Sequence, residues 1–206
     1  MNYTQLLAAV QAEVQNYEDD FVANLPVMVQ TAEQRVFNTV QLPVQRKNVV
    51  GSLTAANPYL TLPADFLSPY SVAVQLADGN YAYLLNKDVE YIREAYPAPG
   101  STGTPKVYAI FDADTVIVGP TPTASLVTEL HYNAYPASIV TAGTSWLGDN
   151  FDSVLLYGTV VEAAIFMKEE TDMMAAYEKR FQDALGQLKL LADGKLRTDA
   201  YRAPVL

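Results

Sequence analysis

His131, the only histidine of the chain, is the one side chain with an ordinary pKa suited to general-base work near neutral pH. It lies in the stretch Leu126 to Tyr132, whose alternation reads as a strand and points His131 the same way as Glu129 and Asn133. A nucleophilic serine would need that base, but no Gly-x-Ser-x-Gly elbow accompanies it. The residues therefore predict a solvent-side histidine beside a carboxylate. Paired acids are the other chemistry within reach, since two carboxyls at close range suffice for glycoside hydrolysis. Asp112 and Asp114 form the best local pair. They fall where a tight hairpin from Phe111 to Thr115 favours Asp, and a calcium loop would require further oxygen ligands and a glycine. Glu162 stands inside the apolar run Val154 to Met167. An acid there must be neutralised, paired or aimed at a partner, and Arg35 and Arg93 are the candidate cations for a structural buried pair.

Composition narrows the field further. The chain has 206 residues, no cysteine, 23 acids against 13 bases and a net charge of −10. Disulfides, thiol nucleophiles, cysteine-built metal sites and sites needing two imidazoles are excluded. The charge argues against a basic face that grips nucleic acid. Gly100 and Gly103 sit in a proline-rich loop with no following Lys-Ser/Thr, so no phosphate cradle is indicated. The 14 tyrosines are spread along the chain without interleaved arginines, which suits packing better than base stacking. No catalytic, cofactor or metal residues are predicted. The first basic residue is Arg35, so a secretory signal is not expected, and Val154 to Met167 is too short and too polar to cross a bilayer.

The elements that would position these residues fall into three blocks. Apolar residues from Tyr3 to Tyr17 recur at helical spacing, and Glu18-Asp19-Asp20 is expected to end that helix. Asn24, followed by Pro26, is read as the cap of a second helix reaching Val40, antiparallel to the first. Strands are predicted over Gln45–Val50, Tyr59–Leu62, Tyr70–Leu76, Tyr81–Leu85, Val107–Phe111, Thr115–Val118 and Leu126–Tyr132, with a short helix from Asp88 to Glu94. Two more helices follow, 152–168 and 172–191, and Gly194 is expected to stop the last. The expected class is α+β: a helical bundle, made of an N-terminal hairpin and two C-terminal helices, with a central β-rich insertion. The domains are read as 1–43 with 144–192, the helical core; 44–143, β-rich; and 193–206, an extended tail.

The order of short motifs adds a resemblance. Ala32-Glu33-Gln34-Arg35-Val36, Leu62-Pro63-Ala64-Asp65-Phe66-Leu67, Gly103-Thr104-Pro105-Lys106-Val107-Tyr108, Val118-Gly119-Pro120-Thr121-Pro122, Leu130-His131-Tyr132, Trp146-Leu147, Leu155-Leu156-Tyr157-Gly158 and Glu162-Ala163-Ala164 together resemble the head-to-tail adaptor (connector) proteins of tailed bacteriophages over about residues 1–192. That resemblance implies a non-enzymatic ring, dodecameric in expectation, beneath the portal protein. It also implies contact with tail (nozzle or tail-tube) proteins, double-stranded DNA passing through without specific binding, and no membrane. A position as tail-tube terminator differs only in place. The basic and apolar end of the chain, with Lys195, Arg197, Tyr201, Arg202 and Leu206, is expected to bind the portal. The alternative from the acids alone is a small carboxylate-dependent hydrolase of cell-wall glycan that includes Glu162.

Overall fold

A computed structural model of the chain describes residues 1–98 and 100–196, with side chains as far as Ala192 apart from Pro99. Helix α1 spans Tyr3–Val14 and opens with a reciprocal cap: Asn2 Oδ1 accepts from Gln5 N, and Gln5 Oε1 accepts from Asn2 N. Gln15 ends it in the left-handed region, φ 53°. Helix α2, Asp19–Thr39, begins earlier than Asn24. The cluster Glu18-Asp19-Asp20 therefore starts a helix, where negative charge meets the positive end of the peptide dipoles. Pro26 lies inside α2, and Asn24 Nδ2 donates to Asp20 O. Burial of Phe21, Leu25, Met28 and Val29 around it outweighs the roughly 3 kcal/mol that an internal proline costs.

The middle of the chain is mostly sheet. In order come β1 (Arg46–Leu53), β2 (Tyr59–Thr61), β3 (Ser68–Gln75), β4 (Tyr81–Tyr83), β5 (Leu85–Asn86), helix α3 (Val89–Ala95), β6 (Thr102–Gly103), β7 (Val107–Ile110), β8 (Thr115–Gly119), β9 (Thr121–Pro122) and β10 (Leu126–Asn133). One antiparallel sheet has the order β1-β10-β3-β4, a second, mixed sheet has the order β2-β8-β7-β5 with only β5 and β7 parallel, and β6 pairs with β9 in parallel. The strand predicted over Tyr81–Leu85 divides at Leu84. Its first part pairs with β3 and its last with β7 of the other sheet, and Leu84 is buried at the crossing. The inner faces of the two large sheets share one apolar cluster that includes Leu53, Val72, Val74, Tyr108, Val116 and Leu130. Helix α3 covers the other face of the second sheet through Ile92 on Val107, Ala109 and Ile117.

Four helices close the chain: α4 (Ile139–Ala142), α5 (Trp146–Asn150), α6 (Asp152–Met167) and α7 (Thr171–Leu196). The two short ones are capped by Ser138 and Ser145, whose hydroxyls accept from Val140 N and Gly148 N. Helix α7 runs through Gly194 to Leu196. A glycine inside a helix costs only about 1 kcal/mol, and it stops one reliably only where the backbone turns left-handed. Among the described residues, 1–45 with those from 135 onward form one compact unit and 46–134 another. In the helical unit α6 packs against α1, α2, α5 and α7, as its nearly all-round apolar sequence requires.

Candidate functional site

His131 and Glu129 lie on the same face of β10, as alternation requires, with His131 Nε2 3.4 Å from Glu129 Oε1. Two neighbours complete a row that sequence alone could not supply. Ser71 Oγ is 2.9 Å from His131 Nδ1, and Asn48 Nδ2 donates to Glu129 Oε1 at 2.7 Å. Both come from the strands paired on either side, in the register Asn48↔His131↔Ser71. The serine sits on a strand in the plane of a sheet. Among the described hydrogen bonds no pair of convergent backbone N–H donors faces it, which an oxyanion site would need. The row is surface hydrogen bonding across a sheet.

The acids are also committed to structure. Asp112 Oδ1 accepts from Asp114 N at 2.9 Å, and Phe111 N donates to Thr115 O, which is the chemistry of the turn. Glu162 is half-buried rather than buried, with 20% of its side chain exposed, and Arg35 Nη1 lies 3.7 Å away. Arg93 donates to Tyr59 Oη instead. Arg35 also holds Glu178 of α7 at 2.6 Å and lies over the Phe181 ring, 4.7 Å from its centre. Two acids therefore share one guanidinium, and it occupies the place a sugar or an attacking water would need beside them. The pair is also more open than an apolar helix suggested, because Glu162 is on the flank of α6 that meets α2 and α7. Glu162→Gln should therefore lower stability by only about 0.2–1 kcal/mol, and thermal denaturation of the two proteins checks this.

Among the described residues the buried acid is Glu33 of α2, 4% exposed, which stands in sequence only as one residue of the Ala32–Val36 motif. Its Oε1 accepts from Ile139 N at 2.9 Å, at the start of α4. Burial pushes its carboxyl above the ordinary range, while hydrogen bonds from Ser138 and from Ile139 N pull it back. Since the folded-state pKa of Glu33 exceeds its unfolded value, this one group's contribution to stability is fully present below about 4.5 and is lost as pH rises through the folded value. Glu33→Gln should flatten that decline, as measured by thermal midpoint against pH.

Three hollows, each within one unit, offer little room. Their volumes are about 180, 260 and 180 Å³, against the roughly 300–1,000 Å³ of small-molecule sites, and none is lined by two acids. Among the described residues no group of three metal-ligating side chains converges, and no helix is long and apolar enough to cross a membrane.

The motifs prove to be scaffold. Asp65 takes Lys47 Nζ at 2.6 Å and Tyr132 Oη at 2.9 Å, and these partners hold its carboxyl below the usual range. A Cβ on Gly119 would come within 2.7 Å of the Tyr96 ring, and one on Gly158 within 3.1 Å of Phe181 and 3.3 Å of Ala32. A model of the SU10 adaptor protein family matches residues 1–205. The chain belongs to that family. It is a structural head-to-tail adaptor of a tailed bacteriophage, and the glycan-hydrolase alternative has no support. No curated protein matches the adaptor. A solved structure, the neck of an empty GTA particle with C6 symmetry, is similar at 14% identity over 84% of the adaptor and 87% of its own chain, with a TM-score of 0.27. Of the portal-binding residues expected in the adaptor, Lys195 is described by its helical backbone alone, and Arg197, Tyr201, Arg202 and Leu206 lie outside the described residues.

Proposed function

We propose that copies of this adaptor form a dodecameric ring beneath the portal protein. The ring joins the capsid to tail (nozzle or tail-tube) proteins and works without catalysis or a cofactor. The family match over residues 1–205 carries this reading. Assembly takes place in the host cytoplasm, and the finished ring sits at the head-tail junction of the virion. With no coiled-coil seam sustained beyond a few turns, the ring is templated by the portal, and the free chain is a monomer or small oligomer. Light scattering with and without portal, followed by imaging of the purified particle, tests this. A particle whose junction lacks the protein ends the ring reading, and a stable large ring from the chain alone removes only the templating step.

Double-stranded DNA passes through this ring without being gripped. Phosphate affinity scales with the cations a surface offers, and the chain carries −10, so the channel wall is acidic or neutral. The isolated adaptor should therefore bind duplex DNA weakly even at low salt. Tight, salt-sensitive binding in a titration would mean that the basic residues form an exposed patch, and the smooth conduit would be lost.

A further inference from the structure

Among the described residues the sheet β1-β10-β3-β4 ends in two free edges. Strand β1 is eight residues long, and its first seven are exposed. Its only strand partner is β10, and among the described residues no backbone hydrogen bond engages its outer edge. The outer edge of β4 is likewise unpaired. Folded proteins usually blunt such edges with charge, proline, a bulge or a covering segment, because an open row of N–H and C=O groups is a template for another strand. Only the start of β1 is guarded. Arg46 lies over Tyr70 and Lys47 is held by Asp65, whereas Asn48 to Leu53 and Tyr81 to Tyr83 contain no Asp, Glu, Lys or Arg.

We propose that β1 of one copy pairs with β4 of the next, so that the sheet runs on from subunit to subunit around the ring. This rests on the ring reading above and names the surface that builds it. Four features point to a second copy as the occupant. Each strand of the sheet is antiparallel to its neighbour, so three reversals leave β1 and β4 running in opposite directions. Copies related by rotation about an axis along the strands then meet as an antiparallel pair. The contact is also head-to-tail, one edge per neighbour, which is the kind of interface that closes into rings. Val50, Glu129, Ala73 and Tyr83 form one cross-strand row, so Val50 and Tyr83 project from the same face. They are 66% and 64% exposed, and β4 added beside β1 would give Val50 an aromatic cross-strand neighbour. Finally, subunits that each carry −10 pack side by side only through surface free of like charge, as these two edges are.

The chain has no cysteine, which makes cross-linking a clean test. Val50→Cys is combined with Tyr83→Cys, and in a second variant with Tyr81→Cys for the register two residues away. Three strand spacings of about 4.8 Å separate Val50 from Tyr83 within one copy, well beyond the roughly 7 Å Cα separation that a disulfide spans, so any bond formed is between copies. Rings assembled on the portal are oxidised mildly and run on a non-reducing gel. The expected result is a ladder of covalent multimers from one of the double variants, with each single variant staying monomeric. Dimers from Val50→Cys alone would mean that β1 meets β1, and would overturn the proposal. Rings that form but give no ladder with either double variant, or adducts with a different virion protein, would overturn it while leaving the ring in place. Wild-type chains that form no ring on the portal would remove the ring reading and the edge pairing together.

Discussion

Phe181→Ala lowers the stability of the helical unit by about 3–5 kcal/mol, the range for emptying an aromatic position in a packed core. Phe181 is fully buried on α7 and lies against Gly158 of α6 and beneath the Arg35 guanidinium of α2. Three helices thus meet on one ring. Gly158 and Ala32 are small because the helices approach closely here, with only 3.3 Å between Ala32 Cβ and the position of a Cβ on Gly158. The mutant loses the apolar area of the ring, leaves a void that backbones already in contact cannot close, and removes the platform that holds Arg35 between Glu162 and Glu178. Chemical denaturation followed by helical circular dichroism reads the loss. A change below about 1 kcal/mol would mean that the three helices repack, contrary to the tight contacts at Gly158.

On the proposal that the basic end of the chain carries the portal contact, truncation after Leu196 should abolish attachment to the portal and leave the thermal midpoint of the adaptor nearly unchanged. The removed stretch, 197–206, carries Arg197, Arg202, Tyr201 and the apolar end Pro204-Val205-Leu206. In a chain of −10 it holds two cations against one acid, Asp199, and together with Lys195 it gives a local positive charge suited to an acidic partner. The described apolar cluster of the helical unit, which includes Phe181, Leu185, Leu188 and Ala192 of α7, lies wholly before the cut. Co-sedimentation of portal with full-length and truncated adaptor measures the first effect and calorimetry the second. Undiminished co-sedimentation of the truncated chain would move the portal contact to another surface.

Such divisions of labour were partly legible in advance. Local pattern was enough where an element's own residues decide it. The tyrosine-rich, β-branched middle became sheet, Val154 to Met167 became the central helix α6, the Asp112–Asp114 turn formed as turn chemistry dictates, and alternation placed His131 beside Glu129. Where two local signals competed, the reading followed the weaker one. Glu18-Asp19-Asp20 suits a helix start as well as a stop, and the burial of Phe21 and Leu25, a tertiary fact, made it a start. Gly194 likewise carries the composition of a stop without its conformation.

The sequence by itself determined the class α+β, the exclusion of thiol and two-imidazole chemistry, and, through its ordered motifs, the adaptor family. Those depend on composition and on spacing within a few residues, which the chain carries explicitly. Tertiary structure alone decided which distant residues meet: Arg35 with Glu178, 143 positions away, Glu33 with Ile139, 106 away, and Ser71 with His131, 60 away. It also decided that Glu33, not Glu162, is the more buried acid: Glu162 stands among apolar neighbours and Glu33 beside Gln34 and Arg35, so local sequence pointed the other way and only the packing of α2 and α6 shows which flank each occupies. The free edges of β1 and β4 belong to the same class of fact. Either strand reads as strand in isolation, and its place at the border of a sheet follows from pairings set by residues on the other strands.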